Sequence, residues 1–183
     1  MSDPTIRAAY SMWPQYNRRL RDVVAAMTDD QLAIRQPNRI TANHDAGEAW
    51  PIWATVGHTA CQRVFWLCDF AGEPGAETTR FTDAGNNCPG DDDLEHPLGS
   101  AELVEALDAS FRIVEGCLDR WTLEMLGETL RRPEWDASWV HTRGSVLQRV
   151  FSHDIYHCGE LSQSLGIAGL PQIDLWDTRE EQR

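Results

Sequence analysis

The sequence predicts an all-α four-helix bundle with a long crossover loop, and three observations carry that prediction. Apolar residues recur at every third or fourth position in four separate stretches. No stretch shows the period of two expected of a half-buried strand, and each stretch is long enough to pack lengthwise against the others. The chain has 183 residues, 42% of them hydrophobic, which suffices for one core and is small for two. Residues 1–183 therefore read as a single domain.

The first helix is predicted over residues 4–27, with Ile6, Tyr10, Trp13, Leu20, Val24 and Met27 on its apolar stripe and Pro4 suited to an opening turn. Thr28 and Gln31 then have the spacing of a capping box that starts a short extra turn. The second helix runs from about Pro51 to Ala71, where Gly72, Pro74 and Gly75 stop it. It carries two apolar stripes, one through Ile52, Val56, Ala60 and Val64, the other through Ala54, His58, Cys61 and Phe65, so it belongs at the centre of the bundle. The third helix follows an N-cap at Ser100 and ends near Arg120, with Leu103, Leu107, Phe111, Val114 and Leu118 facing the core. The fourth spans about 145–165 and ends at Gly166; its stripe is Val146, Val150, His153, His157, Leu161 and Ser164.

Two connections resist regular assignment. Residues 72–99, which include Asp91-Asp92-Asp93, read as a crossover that partly covers a site. Residues 127–142, with Pro133, Trp135, Trp139 and His141, read as a short extended excursion.

A net charge of -13 opposes nucleic-acid backbones and anionic membranes, which both require a concentrated positive patch. No run approaches the roughly 18 apolar residues of a membrane span, and the first residues lack a secretion signal. The expectation is a cytoplasmic protein whose partner is a small-molecule substrate, with no nucleic acid and no membrane. Five cysteines without CxxC spacing read as buried free thiols.

The chemistry-bearing pattern is His153-Asp154-Ile155-Tyr156-His157. Two imidazoles four residues apart on a helix project from one face, and His58 on the second helix can be packed opposite them. Three nitrogen ligands leave a divalent metal with open positions, the condition for chemistry. The ordinary alternative for each histidine is a core imidazole bonded to a carboxylate or carbonyl. Asp154 stands where the HExxH motif of zinc proteases has its glutamate, but it is one methylene shorter and no further glutamate ligand is evident. Asp154 and Glu160 are the candidate catalytic carboxylates, as bases or as acceptors orienting the imidazoles, the alternative being solvated charges with no role. Gln62 and Asp69 are polar candidates for a pocket rim. His44, His96 and His141 fall in loops and outside the metal set. Trp50, Trp53, Trp66, Trp135, Trp139 and Trp176 fill the core or line an apolar pocket.

Val56-Gly57-His58, the run from Arg143 through Val146 into Ser152-His153-Asp154-Ile155-Tyr156-His157-Cys158-Gly159-Glu160-Leu161, and the tail Leu165-Gly166-Ile167 resemble the DinB-like superfamily. These DinB/YfiT-like four-helix bundles are related to mycothiol- and bacillithiol-dependent transferases. The resemblance implies one divalent metal ion, zinc or nickel, on His58, His153 and His157. It also implies a low-molecular-weight thiol such as mycothiol or bacillithiol, activated as thiolate for S-transfer to a small electrophile. Homodimerisation is a further expectation. Two alternatives stay open: a hydrolase using metal-held water with Asp154 or Glu160 as base, and a non-catalytic, metal-stabilised bundle that dimerises or binds a partner.

Overall fold

The computed structural model describes residues 5–35 and 49–175. Pro4, His44 and Trp176 lie outside the described residues. Five α-helices are present among those described: α1 (Trp13–Ala25), the single turn α2 (Asp29–Leu32), α3 (Ile52–Val64), α4 (Ser100–Arg120) and α5 (Arg143–Ile167). The four long ones form the bundle that the apolar periodicity predicts. α3 packs against both α4 and α5, and α1 packs against α4. Every residue of α3 except Gln62 is buried, as its two apolar stripes require. The buried apolar side chains of all four helices join one cluster. No helix among the described residues is long and apolar enough to cross a membrane.

Several element boundaries differ from the sequence reading, each for a local reason. The first helix is broken: a 3-10 turn, Ile6–Tyr10, precedes α1, which restarts at Trp13 with Pro14 in its opening turn. Pro14 has no N–H to continue the preceding helix and its ring crowds the carbonyl four residues back, so it sits well only at a start. Thr28 and Gln31 form the capping box. At α4 the N-cap is Gly99, not Ser100; its N–H donates to the Glu102 carboxylate at 3.0 Å. α5 begins two residues earlier than expected, because Thr142 is the N-cap and Ser145 its reciprocal partner. The excursion before α5 closes as a two-residue antiparallel pair, β1 (Thr129–Leu130) with β2 (His141–Thr142).

α3 does not stop at Val64. It continues as a π-helical turn, Phe65–Phe70, whose carbonyls at Cys68 and Phe70 accept hydrogen bonds from Arg132 at 3.1 Å each. All five cysteines are buried free thiols, as their spacing suggests.

The bundle is tied through its centre by a buried polar network. Arg63 of α3 donates to both carboxylate oxygens of Asp154 on α5, at 2.8 to 3.1 Å. The same guanidinium donates to Asn17 of α1 and to Ser110 and the Leu107 carbonyl of α4. Trp13 of α1 donates its indole N–H to Asp154 at 2.7 Å. Both charged side chains are nearly inaccessible to solvent, at 1% and 5% exposure, so neither charge has water to fall back on. Removing one partner leaves the other buried and uncompensated, whereas removing both need not. Arg63→Met and Asp154→Ala should each cost about 3–5 kcal/mol, read as a lowered urea midpoint, and the double variant Arg63→Met/Asp154→Leu should recover most of that loss. Single-variant losses below about 1 kcal/mol would show that the network is not structural.

Candidate metal centre

His58 comes from the middle of α3, and His153 and His157 come from successive turns of α5. His58 and His157 are buried and His153 is half-buried. Their Nε2 atoms converge: His58 lies 3.0 Å from His153, and His157 lies 3.0 Å from the same His153 nitrogen. Direct hydrogen bonding cannot account for this arrangement. A ring nitrogen carries in its plane either one hydrogen or one lone pair, so His153 Nε2 cannot make good bonds to two neighbours at once.

The outer faces of the rings fix the tautomers. His157 Nδ1 lies 2.7 Å from Glu160 Oε2, and His58 Nδ1 lies 3.2 Å from Asp91 Oδ2. Carboxylates only accept, so both Nδ1 atoms carry hydrogen, and in the neutral rings both Nε2 lone pairs turn toward His153. Lone pairs converging on one point is the donor set of a shared cation, with carboxylates behind the rings as metal-ligating histidines commonly have them. The 3.0 Å spacing also fits: nitrogens about 2.1 Å from one ion stand about 3.0 Å apart at a right angle and about 3.4 Å apart at the tetrahedral angle. The three ligand atoms all lie within 4.8 Å of one another.

The sequence profile of the DinB superfamily matches residues 15–161. The chain belongs to the DinB superfamily. A crystal structure of a DinB-like protein from Bacillus cereus has the same fold, with a TM-score of 0.63 over 94% of this chain and 98% of that one at 14% sequence identity. No curated protein sequence matches the chain.

In this DinB bundle the crossover loop supplies part of the centre. Residues 88–91 lie against α3 beside His58, which requires two glycines. A Cβ at Gly57 would stand 2.9 Å from Pro89, and one at Gly90 would stand 2.6 Å from the Trp50 ring. Gly90 also has φ +85, a left-handed conformation that favours glycine. The Trp50 ring meets His58 edge-on at 4.9 Å. His58, Cys88 and Asp91 form a second group of close ligand atoms. Because the His58 Nδ1 hydrogen is committed to Asp91, this group supports the ring from behind. Burial alone would make His58 harder to protonate; its contacts with Asp91 and Cys88 outweigh that and raise its pKa.

Asp154 requires a correction. It follows His153 in sequence, but one residue along a helix is about 100° around it, and its carboxylate points into the core toward Arg63 and Trp13. It is not placed to act as a base on a group at the histidines. Glu160 is at the centre, bonded to the back of His157, so it positions that ring from the side away from the converging Nε2 atoms. Gln62 does lie at the rim: it donates to Asp91 at 3.4 Å and to Cys88 at 3.7 Å, and it accepts from the Trp66 indole at 3.1 Å. The sequence placed Trp50 among possible pocket-lining tryptophans and the 72–99 crossover over the site, but it did not single out Asp91 or Cys88 as partners of His58. They sit in or beside irregular segments without periodicity, and the Asp91-Asp92-Asp93 run looks like any solvated acidic stretch.

Glu160→Gln keeps the shape of the side chain but weakens its hold on the Nδ1 hydrogen. Zinc affinity should fall about 10- to 100-fold in chelator-competition titrations, with the metal-free melting temperature little changed. An unchanged affinity would remove Glu160 from the centre.

Proposed function

We propose that this protein is a divalent-metal-dependent thiol S-transferase acting on a small electrophile. The observation that carries the reading is the convergence of three imidazole Nε2 atoms, two of them with lone pairs fixed inward by carboxylates. When bound, a divalent cation such as zinc or nickel would lower the pKa of a low-molecular-weight thiol, mycothiol or bacillithiol, and present it as thiolate.

His58, His153 and His157 would hold the ion with neutral rings, so its full charge would remain to favour an anionic sulfur. Asp91 and Glu160 keep the ring protons on Nδ1 and thus off the metal-facing nitrogens. His58, His153 and His157 would supply three of the ion's ligands, and its remaining positions would be available to the thiol. His58 and His157 are buried while His153 is half-buried, so the approach is from the His153 side. Trp50 packs against the His58 ring and keeps water from its flank. The hydrolytic alternative needs a carboxylate free to deprotonate water beside the ion. Asp154 is committed to Arg63, and Glu160 is committed to His157.

The test is elemental analysis of protein purified without chelators or metal columns, beside His58→Ala and His157→Ala, followed by assay with mycothiol, bacillithiol or cysteine and a chromogenic aryl halide. Near-stoichiometric metal that disappears in both variants, with conjugate formed only when thiol and metal are both present, is the expected result. A native chain that neither contains metal nor takes up zinc or nickel would overturn the reading, and turnover without thiol would favour hydrolysis.

A further inference from the structure

Among the described residues, Arg7, Arg21, Arg63, Arg80, Arg120 and Arg143 each face a carboxylate. Arg149 pairs with none. Its guanidinium instead lies over the Trp66 ring, with Cζ 4.3 Å from the centroid. Arg149 is exposed, as Arg18, Arg112 and Arg131 are, but of these four it alone has an aromatic floor. Partial burial lowers the Arg149 pKa, with no acidic neighbour opposing the shift. A partly desolvated cation without a counter-charge is unusual in a chain of net charge -13, where carboxylates outnumber cations 29 to 16.

Its place relative to the metal centre gives this meaning. Arg149 and His153 are four residues apart on α5, so their side chains leave the same face about 5–6 Å apart at Cβ. Of the three histidines His153 alone is half-buried, so it is the one a molecule from solvent reaches first. A continuous wall joins the two: Trp66, beneath Arg149, donates to Gln62, Gln62 donates to Asp91, and Asp91 holds His58. Trp66 is also nearly parallel to Trp139, at 18° and 6.0 Å between centroids, and Trp139 is 42% exposed. The mouth of the site thus combines one uncompensated guanidinium with flat apolar surface.

We infer that Arg149 anchors an oxyanion of the substrate, placing a small molecule with an anionic end and a planar apolar body beside the three-histidine centre. The inference rests on the proposed reading of that centre as a metal site where a small molecule reacts. A guanidinium fork matches the two oxygens of a carboxylate and equally those of a phosphate ester. Stacking on Trp66 holds the fork in one plane, which lessens the freedom lost when an anion binds.

The experiment is calorimetric titration of benzoate, phenyl phosphate and neutral benzamide into the wild-type chain, Arg149→Gln, Arg149→Lys and His153→Ala, each with and without zinc, with melting temperatures to confirm folding. Either anion should bind wild type at least tenfold more tightly than benzamide, and the tighter of the two assigns carboxylate or phosphate. Arg149→Gln should lose about 10- to 100-fold in anion affinity while keeping its benzamide affinity and its zinc. Arg149→Lys should fall between, since it keeps the charge but loses the planar fork. Equal anion affinity in wild type and Arg149→Gln, or no preference for either anion over benzamide, would overturn the inference. Anion binding that needs zinc and His153 but not Arg149 would do the same while leaving the metal reading intact. Arg149-dependent binding in a chain that takes up no zinc would leave the anchor standing and remove the metal reading.

Discussion

The buried Arg63–Asp154 pair is the constraint from which the geometry of the centre follows. Arg63 is five residues beyond His58 on α3, and Asp154 is the residue after His153 on α5. Locking Arg63 to Asp154 therefore sets both the axial height and the rotation at which the two helices meet, and the histidines have no further freedom. A slip of one helical turn, about 5.4 Å, would separate the pair and strand two charges in the core. Contacts from Asn17, Ser110, Leu107 and Trp13 extend the same lock to α1 and α4. Apolar packing alone tolerates neighbouring registers, since one aliphatic stripe resembles the next; a buried charge pair with directed donors does not.

Electrostatics divides the site in two. The strongly acidic chain draws cations toward itself, and Asp91 and Glu160 turn that field to local use by holding the ligand rings. The same field repels anions, so an anionic thiolate or substrate needs local positive charge to approach. The bound ion would provide it for sulfur, and Arg149 stands one turn away with its charge unspent on any carboxylate.

Much of this was legible in the sequence because periodicity reports burial directly. Four apolar stripes gave four long helices, the doubly striped helix is the buried central one, and three histidines on core-facing stripes are brought together, His58 and His157 each 3.0 Å from His153. The Asp154 role was misjudged because adjacency to His153 in sequence suggests proximity, whereas adjacent helical residues diverge by about 100°. Arg63 explains where Asp154 goes, yet an arginine inside an apolar helix looks like a surface position until its partner is known. The contributions of Asp91 and Cys88 depend on a crossover seated by Gly57 and Gly90, and close approach of backbone to ring leaves no periodic signature. The apolar stripe runs across Pro14, which is why periodicity alone reads residues 4–27 as one helix where the structure restarts it at Trp13.

The π-helical turn Phe65–Phe70 follows α3 directly, so one continuous helical run has two differently wound parts. Such a turn holds one residue more than an α-helix of equal rise, and each added residue rotates everything beyond it by about 100° while leaving everything before it in place. His58 and Arg63 lie before the turn; Trp66 and Phe70 lie within it. The cation-holding half and the aromatic half of one helix are thus uncoupled in register. Substitutions among the aromatic residues of the turn can therefore reshape that end of the helix without moving His58.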